Sequence, residues 1–209
     1  MHRPATVLGP GTRLPARHLK AVSGLVVPLP DPDRMVHLQF RRFAGCPICN
    51  LHLQSIVRRH DAIGQAGLRE VVVFHSTVED LRPHTAALPF DVVADPDQLL
   101  YAEFGVTASP RALLHPQAWA AILLAVPRSA TVIARGREHM PAAKPHGGRL
   151  GLPADFLIAS DGRIAAVKYG EHAYDQWSVD ELLQKAAGVR RPPDRPDVSD
   201  AEAPATARH

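Results

Sequence analysis

The 209 residues suit one domain, with room for an insertion and a sizeable core. Charged residues make up 22% and the net charge is +3, with arginines scattered rather than interleaved with aromatics, so no nucleic-acid partner is expected. No stretch reaches the ~18 apolar residues of a membrane span and the N-terminus lacks a signal-peptide core, so no membrane partner is expected and the expected location is cytoplasmic.

Residues 1–20 are rich in Pro and Gly and read as an irregular arm. Residues 24–29 (GLVVPL) form a short strand ended by the turn PDPD at 30–33. Residues 35–40 (MVHLQF) form a second strand, with Val36, Leu38 and Phe40 on one face, and 41–45 lead to the motif GCPIC. Pro47 fits the first turn of a helix whose apolar face is Leu51, Leu53, Ile56, Val57 and Ile63, ended by Gly64 and Gly67. The run EVVVF at 70–74 predicts a strand covered on both faces. A helix over 77–88, a strand over 90–93, the turn DPD at 95–97 and a helix over 99–104 follow.

Residues 109–150 carry five prolines and read as an insertion: a short apolar helix over 117–124, a strand over 131–134, and loops. The segment DFLIA at 155–159 and residues 163–168 make a hairpin around the turn SDG. The last helix spans 178–187, with Ser178 as N-cap and Glu181 completing a capping box. Residues 189–209 are Pro-rich, polar and expected to be disordered. The main domain is therefore 21–188. Its element order predicts a mixed sheet with helices on both faces.

The two cysteines of the chain are Cys46 and Cys49. Positions i and i+3 at the start of a helix share a face, which brings two sulfurs within disulfide reach. The first sulfur lies beside unpaired backbone N–H groups and the positive end of the helix dipole, which favour thiolate. Two inert cysteines would not need this spacing. Cys46 is the expected nucleophile and Cys49 the resolving thiol. A peroxide would convert Cys46 to a sulfenic acid that condenses with Cys49; a disulfide substrate would form a mixed disulfide that Cys49 resolves. A structural zinc needs four ligands; there is no second CxxC, and His52 and His60 lie along the same helix, so no metal is expected. Haem attachment fails because Asn50, not His, follows Cys49.

These residues resemble the thioredoxin-like superfamily, and more specifically its peroxiredoxin-like (alkyl hydroperoxide reductase/thiol-specific antioxidant) branch. The CxxC at a strand-to-helix junction carries part of the resemblance. So do the stretch from Glu70 to Val106, with its "LPF", "DPD" and "GV" marks, and the hairpin GLPADFLIASDGRIAAVKYG from Gly151. The resemblance covers most of 20–187 and implies a thioredoxin-like three-layer α/β/α sandwich with a mixed sheet.

It also carries departures. Peroxiredoxins place Pro seven and Thr or Ser three residues before the reactive Cys; here those positions are Gln39 and Phe43. The Cys46–Pro47 pair is kept, Cys49 stands where many members have Glu, and Pro153 stands where they have Arg. Arg42 and Arg149 are the candidates to replace that Arg. By resemblance to thioredoxins, Pro153 is a cis proline facing the dithiol, exposing neighbouring backbone to a substrate strand; an ordinary strand-starting proline is the alternative. Pro47 and Pro153 are thus the substrate-binding candidates. His75 and Ser76 sit at the sheet edge where α/β folds bind ligands. The apolar run 118–126 with Trp119 reads as a core helix of the insertion, with a homodimer contact or a membrane-surface helix as the alternatives; Trp177 reads as packing.

The expectation is an antioxidant oxidoreductase that reduces hydroperoxides through a Cys46/Cys49 dithiol–disulfide cycle. No cofactor is expected, and a thioredoxin- or glutathione-type thiol is the electron donor. The alternatives are a general oxidoreductase for protein disulfides and a redox-inactive binding protein of the same fold.

Overall fold

The computed structural model describes residues 7–108, 116–134 and 148–190. Its core is a five-stranded mixed sheet in the order β5-β4-β3-β6-β7, built from β3 (Met35–Arg41), β4 (Leu68–Phe74), β5 (Asp91–Ala94), β6 (Ala154–Ile158) and β7 (Ile164–Tyr169). The strands β3, β4 and β5 run parallel, and β6 and β7 add antiparallel on the other side. The expected α/β/α arrangement is what the chain adopts.

Alternation along β3 sorts the two faces. Val36, Leu38 and Phe40 join Val71, Val73, Val93, Phe156, Tyr101 and Phe104 in one core cluster. That face is covered by the hairpin of β1 (Arg17–Lys20) and β2 (Val26–Leu29) and by α4 (Leu99–Glu103). The opposite face packs against α1 (Pro47–Arg58), α2 (His60–Gln65), α3 (Val78–Thr85) and α6 (Val179–Arg190). Both sheet edges are covered: Val22 N–H donates to Val92 O at 2.7 Å on β5, and Gly11 N–H donates to Ile164 O at 2.8 Å on β7. Such covering blocks pairing with other chains.

Several expected elements shift. Residues 17–20, expected within an irregular arm, form β1, because alternating residues such as Leu19 turn into the core. The helix expected to run through Ile63 breaks at Arg59, whose N–H bonds to Ile56 O at 3.1 Å, and resumes as α2. The turn DPD has a defined role: Asp95 accepts from the N–H groups of Leu99, Leu100 and Tyr101 and starts α4.

The insertion differs most. Residues 116–134 form one helix, α5 (Pro116–Ala134), with Pro127 inside it, so the expected strand over 131–134 is helical. The helix lies against α1. Among its described side chains Ala125 is buried and Ile122 packs against the core, whereas Leu123 and Leu124 are 70% and 68% exposed. The side chain of Trp119, the loops expected over 109–115 and 135–147, and, of the tail expected over 189–209, the residues beyond 190 lie outside the described residues; residues 189 and 190 are the last of α6. Among the described residues, no helix is long and apolar enough to cross a membrane.

Candidate active site

β3 delivers the chain to the C-terminal edge of the sheet, where a short turn converts it into α1. Gly45 makes this turn with φ +71°, in the left-handed region that favours glycine. Cys46 N–H closes the turn on Phe43 O at 3.1 Å, Cys46 is the N-cap of α1, and Pro47 occupies the first helical position. Neighbouring loops fix the turn: Ala44 N–H donates to Ser76 Oγ at 2.9 Å, and His75 N–H donates to Arg42 O at 3.2 Å. Gly151 packs on this junction, where a Cβ would lie 3.1 Å from His75 Nε2. His75 and Ser76, read as ligand-edge candidates, are buried scaffold of the turn.

Both cysteines are free thiols, 2% and 3% exposed. Both line a cavity of about 360 Å³ between α1 and the end of α3. Its wall includes Asn50, Leu53, Gln54, Phe74, Leu81 and Leu88. Burial pushes the Cys49 thiol up, but a hydrogen bond from Cys46, the Arg42 guanidinium and backbone, and Arg41 outweigh it and bring it down to about 6. Cys46 is pushed well above the ordinary thiol value by burial and by the hydrogen bond and charge of Cys49. The pair therefore holds one shared proton and one negative charge. The direction runs against the expectation that the helix N-terminus favours thiolate at Cys46: it is Cys49 whose thiol is lowered and Cys46 whose thiol is raised.

Phe43, where a hydroxyl would be expected by resemblance, is buried between two cations. The guanidinium carbons of Arg42 and Arg149 each lie 5.4 Å from its ring centroid. Arg42 is buried and donates to Arg149 O. Of the two candidate arginines, Arg42 acts on both sulfurs, while exposed Arg149 holds Arg42 in place.

Pro47 stays in the first turn beside Cys46. Pro153 is buried just before β6, and the bond preceding it is trans; the cis bond among the described residues is Leu29–Pro30. The backbone around it is already paired: Leu152 N–H donates to Thr107 O at 3.0 Å, and Pro153 O accepts from Gly170 N–H at 2.8 Å. The expected open backbone is therefore occupied by this chain. His60 packs near the Phe90 ring and His52 is buried on α1. Among the described residues, no group of three His, Cys, Asp or Glu is disposed to hold a metal.

Sequence reading overlooked the second face of β3. His37, Gln39 and Arg41 are buried under α1 and α6, together with Glu70 of β4 and Asp155 of β6. The signal was available: a strand alternating polar and apolar is half-exposed at a sheet edge, but β3 had to be central and covered on both sides. Polar residues there need partners.

A family model described as AhpC/TSA antioxidant enzyme matches residues 55–172, which begins after the two cysteines. No curated protein shows a significant sequence match. Among solved structures, peroxidoxin BcpB from Mycobacterium tuberculosis aligns with TM-score 0.61 at 16% identity, covering 88% of this chain and 99% of that one. A cysteine-to-serine mutant of peroxiredoxin 6 of Arenicola marina aligns with TM-score 0.62 at 13% identity, covering 87% and 73%. A putative thioredoxin from Neisseria meningitidis aligns with TM-score 0.54 at 19% identity, covering 90% and 92%. These structures share the fold. Because the family match runs over more than half of the chain, from within the CxxC helix through the last hairpin, the protein belongs to the AhpC/TSA antioxidant enzyme family.

Proposed function

We propose that the protein reduces small hydroperoxides through a Cys46/Cys49 dithiol–disulfide cycle. The observation that carries this reading is that both sulfurs line a cavity of about 360 Å³ while almost fully shielded from bulk solvent. A small peroxide fits such a cavity, whereas a protein disulfide would have to displace its walls. Cys46, at the N-cap, stands at the positive end of α1 and is the attacking sulfur. Cys49 thiolate accepts the Cys46 proton as attack proceeds.

The Cys46 thiolate forms a bond to the distal peroxide oxygen as the O–O bond breaks, giving the sulfenic acid, and the departing alkoxide takes the proton held by Cys49 to become an alcohol. Cys49 thiolate then attacks the sulfenic sulfur. The S–S bond forms, the S–O bond breaks, and the oxygen leaves as hydroxide, which takes a proton from solvent to become water. Two electrons pass from the dithiol to the peroxide. The shielding of the sulfurs also favours a small glutathione-type thiol as the returning donor, and its need for reducing equivalents suits the cytoplasm.

The alternative, exchange with protein disulfides, is favoured by Phe43, which leaves no hydroxyl at the position where peroxiredoxins orient their substrate. Intact-mass analysis after one equivalent of hydroperoxide tests the peroxidase. The wild-type protein should lose two hydrogens as the disulfide, and Cys49→Ser should gain one oxygen on Cys46. No mass change in either protein sinks the reading.

A further inference from the structure

The buried polar side chains beneath α1 form a closed ring. Both Glu70 oxygens face His37 Nδ1, at 3.0 and 2.8 Å, and Glu70 also accepts from Gln39 Nε2. Gln39 Oε1 accepts from Arg41 Nη2, which also donates to Asp155 Oδ1 at 2.6 Å. The ring closes where Asp155 Oδ1 lies 3.4 Å from His37 Nε2. Nδ1 is hydrogen-bonded to Glu70, while Nε2 lies within ion-pair range of Asp155 without a hydrogen bond; against the effect of burial, the two carboxylates favour the imidazolium. The ring contains two cations, His37 and Arg41, and two anions, Glu70 and Asp155. All four are fully buried.

The other groups around His37 add no compensating charge. His52, on α1, is kept neutral by burial and by Arg41, with His37 adding to the effect. Trp177 stacks on His37 at 5.8 Å, and Lys185 of α6 lies on the Trp177 ring. On its α1 side the ring lies under the helix that carries Cys49 and His52 into the buried layer, and Arg41, the last residue of β3, adds to the lowering of Cys49.

We propose that this ring is a positioning device that fixes the Arg41 cation beneath the helix bearing Cys49 and couples the protonation of His37 to the oxidation state of the dithiol. The reduced pair carries one negative charge and the disulfide none. Oxidation therefore leaves the cations of the ring less compensated and makes the His37 proton easier to lose. By linkage, neutralising His37 destabilises the thiolate to the same degree. The inference rests on the Cys46/Cys49 cycle but not on peroxide as its oxidant, so its test uses an oxidised dithiol reagent. Exchange with that reagent forms the Cys46–Cys49 bond and breaks the reagent's S–S bond. The reagent takes up the two electrons and leaves as its reduced dithiol.

The His37 ring-proton resonance is followed against pH in the reduced and disulfide forms of the wild-type protein. The midpoint should be about one unit lower in the disulfide form, as expected for one charge acting through a medium of effective dielectric ~20. Thiolate absorbance is then titrated in variants. His37→Gln leaves the ring with one excess negative charge and should raise the thiolate midpoint by a similar amount. His37→Gln/Glu70→Gln restores neutrality and should return it towards the wild-type value. A purely structural ring would instead make the double variant no better than the single one. Equal His37 midpoints in the two redox states overturn the proposal, as does a double variant whose thiolate midpoint stays with the single variant.

Discussion

Arg41 of β3 donates to Asp155 of β6 at 2.6 Å, and neither side chain is exposed. Asp155 Oδ2 also accepts Trp177 N–H at 3.0 Å, which ties the entry to α6 to the same carboxylate. Arg41 is a buried cation at the end of β3, and Asp155 compensates it. Removing one partner of a buried pair leaves the other charge uncompensated. Asp155→Ala should therefore cost about 3–5 kcal/mol in denaturant unfolding. A loss below about 1 kcal/mol would mean that the pair is not structural.

The dithiol should ionise early. Alkylation of the reduced protein should rise with pH through a midpoint near the value of about 6 to which Cys49 is held. Arg42→Gln removes one of the cations responsible and should raise that midpoint by about one unit, slowing alkylation at neutral pH several-fold. An unchanged midpoint in Arg42→Gln would remove Arg42 from the site.

Stability should show two opposing titrations. Against the effect of burial, Glu70 and Asp155 raise His37 from 6.5 to about 9. Its stabilisation is complete below about 6.5 and is lost as pH rises through about 9. Cys49 is lowered from 9.0 to about 6, so its contribution is complete above about 9 and is lost as pH falls through about 6. The two offset each other over the same window. Replacing both cysteines by serine removes only the second. That variant should lose melting temperature between pH 6.5 and 9, while the reduced wild type changes less. Parallel curves would contradict the opposition.

The cavity should discriminate by size. Gln54 is an exposed residue on its wall, so Gln54→Trp narrows the space without disturbing the core. Reaction with a bulky organic hydroperoxide should fall several-fold more than reaction with hydrogen peroxide. Equal losses, measured by single-turnover kinetics, would mean that substrates do not enter there.

Much of this arrangement was legible in the sequence, for identifiable reasons. The run of valines in β4, the Pro47 start of α1 and the Ser178–Glu181 capping box are local signals that tertiary structure did not override. The positions of Cys46, Cys49 and Pro47 followed from the CxxC spacing alone. The ionisation of the pair did not, because it depends on Arg41 and Arg42 and on burial, which spacing does not encode. Pro153 misled because its role depends on whether nearby backbone is free, and Thr107 and Gly170, distant in sequence, occupy it. α5 runs ten residues beyond the helix expected over 117–124, because Pro127 lies inside the helix without ending it. The ring is hard to read because the alternation of His37, Gln39 and Arg41 with apolar residues is that of a solvent-facing strand, and it is the cover of α1 and α6 that makes this face internal.

The central claim is that the Cys46/Cys49 pair is built for a small peroxide. The most direct test is stopped-flow competition: reduced protein mixed with an organic hydroperoxide or with a protein disulfide, at equal concentration and pH, with loss of thiol followed in time. Faster oxidation by the hydroperoxide is the predicted result. Slow reaction with every hydroperoxide alongside rapid exchange with the protein disulfide would contradict the account.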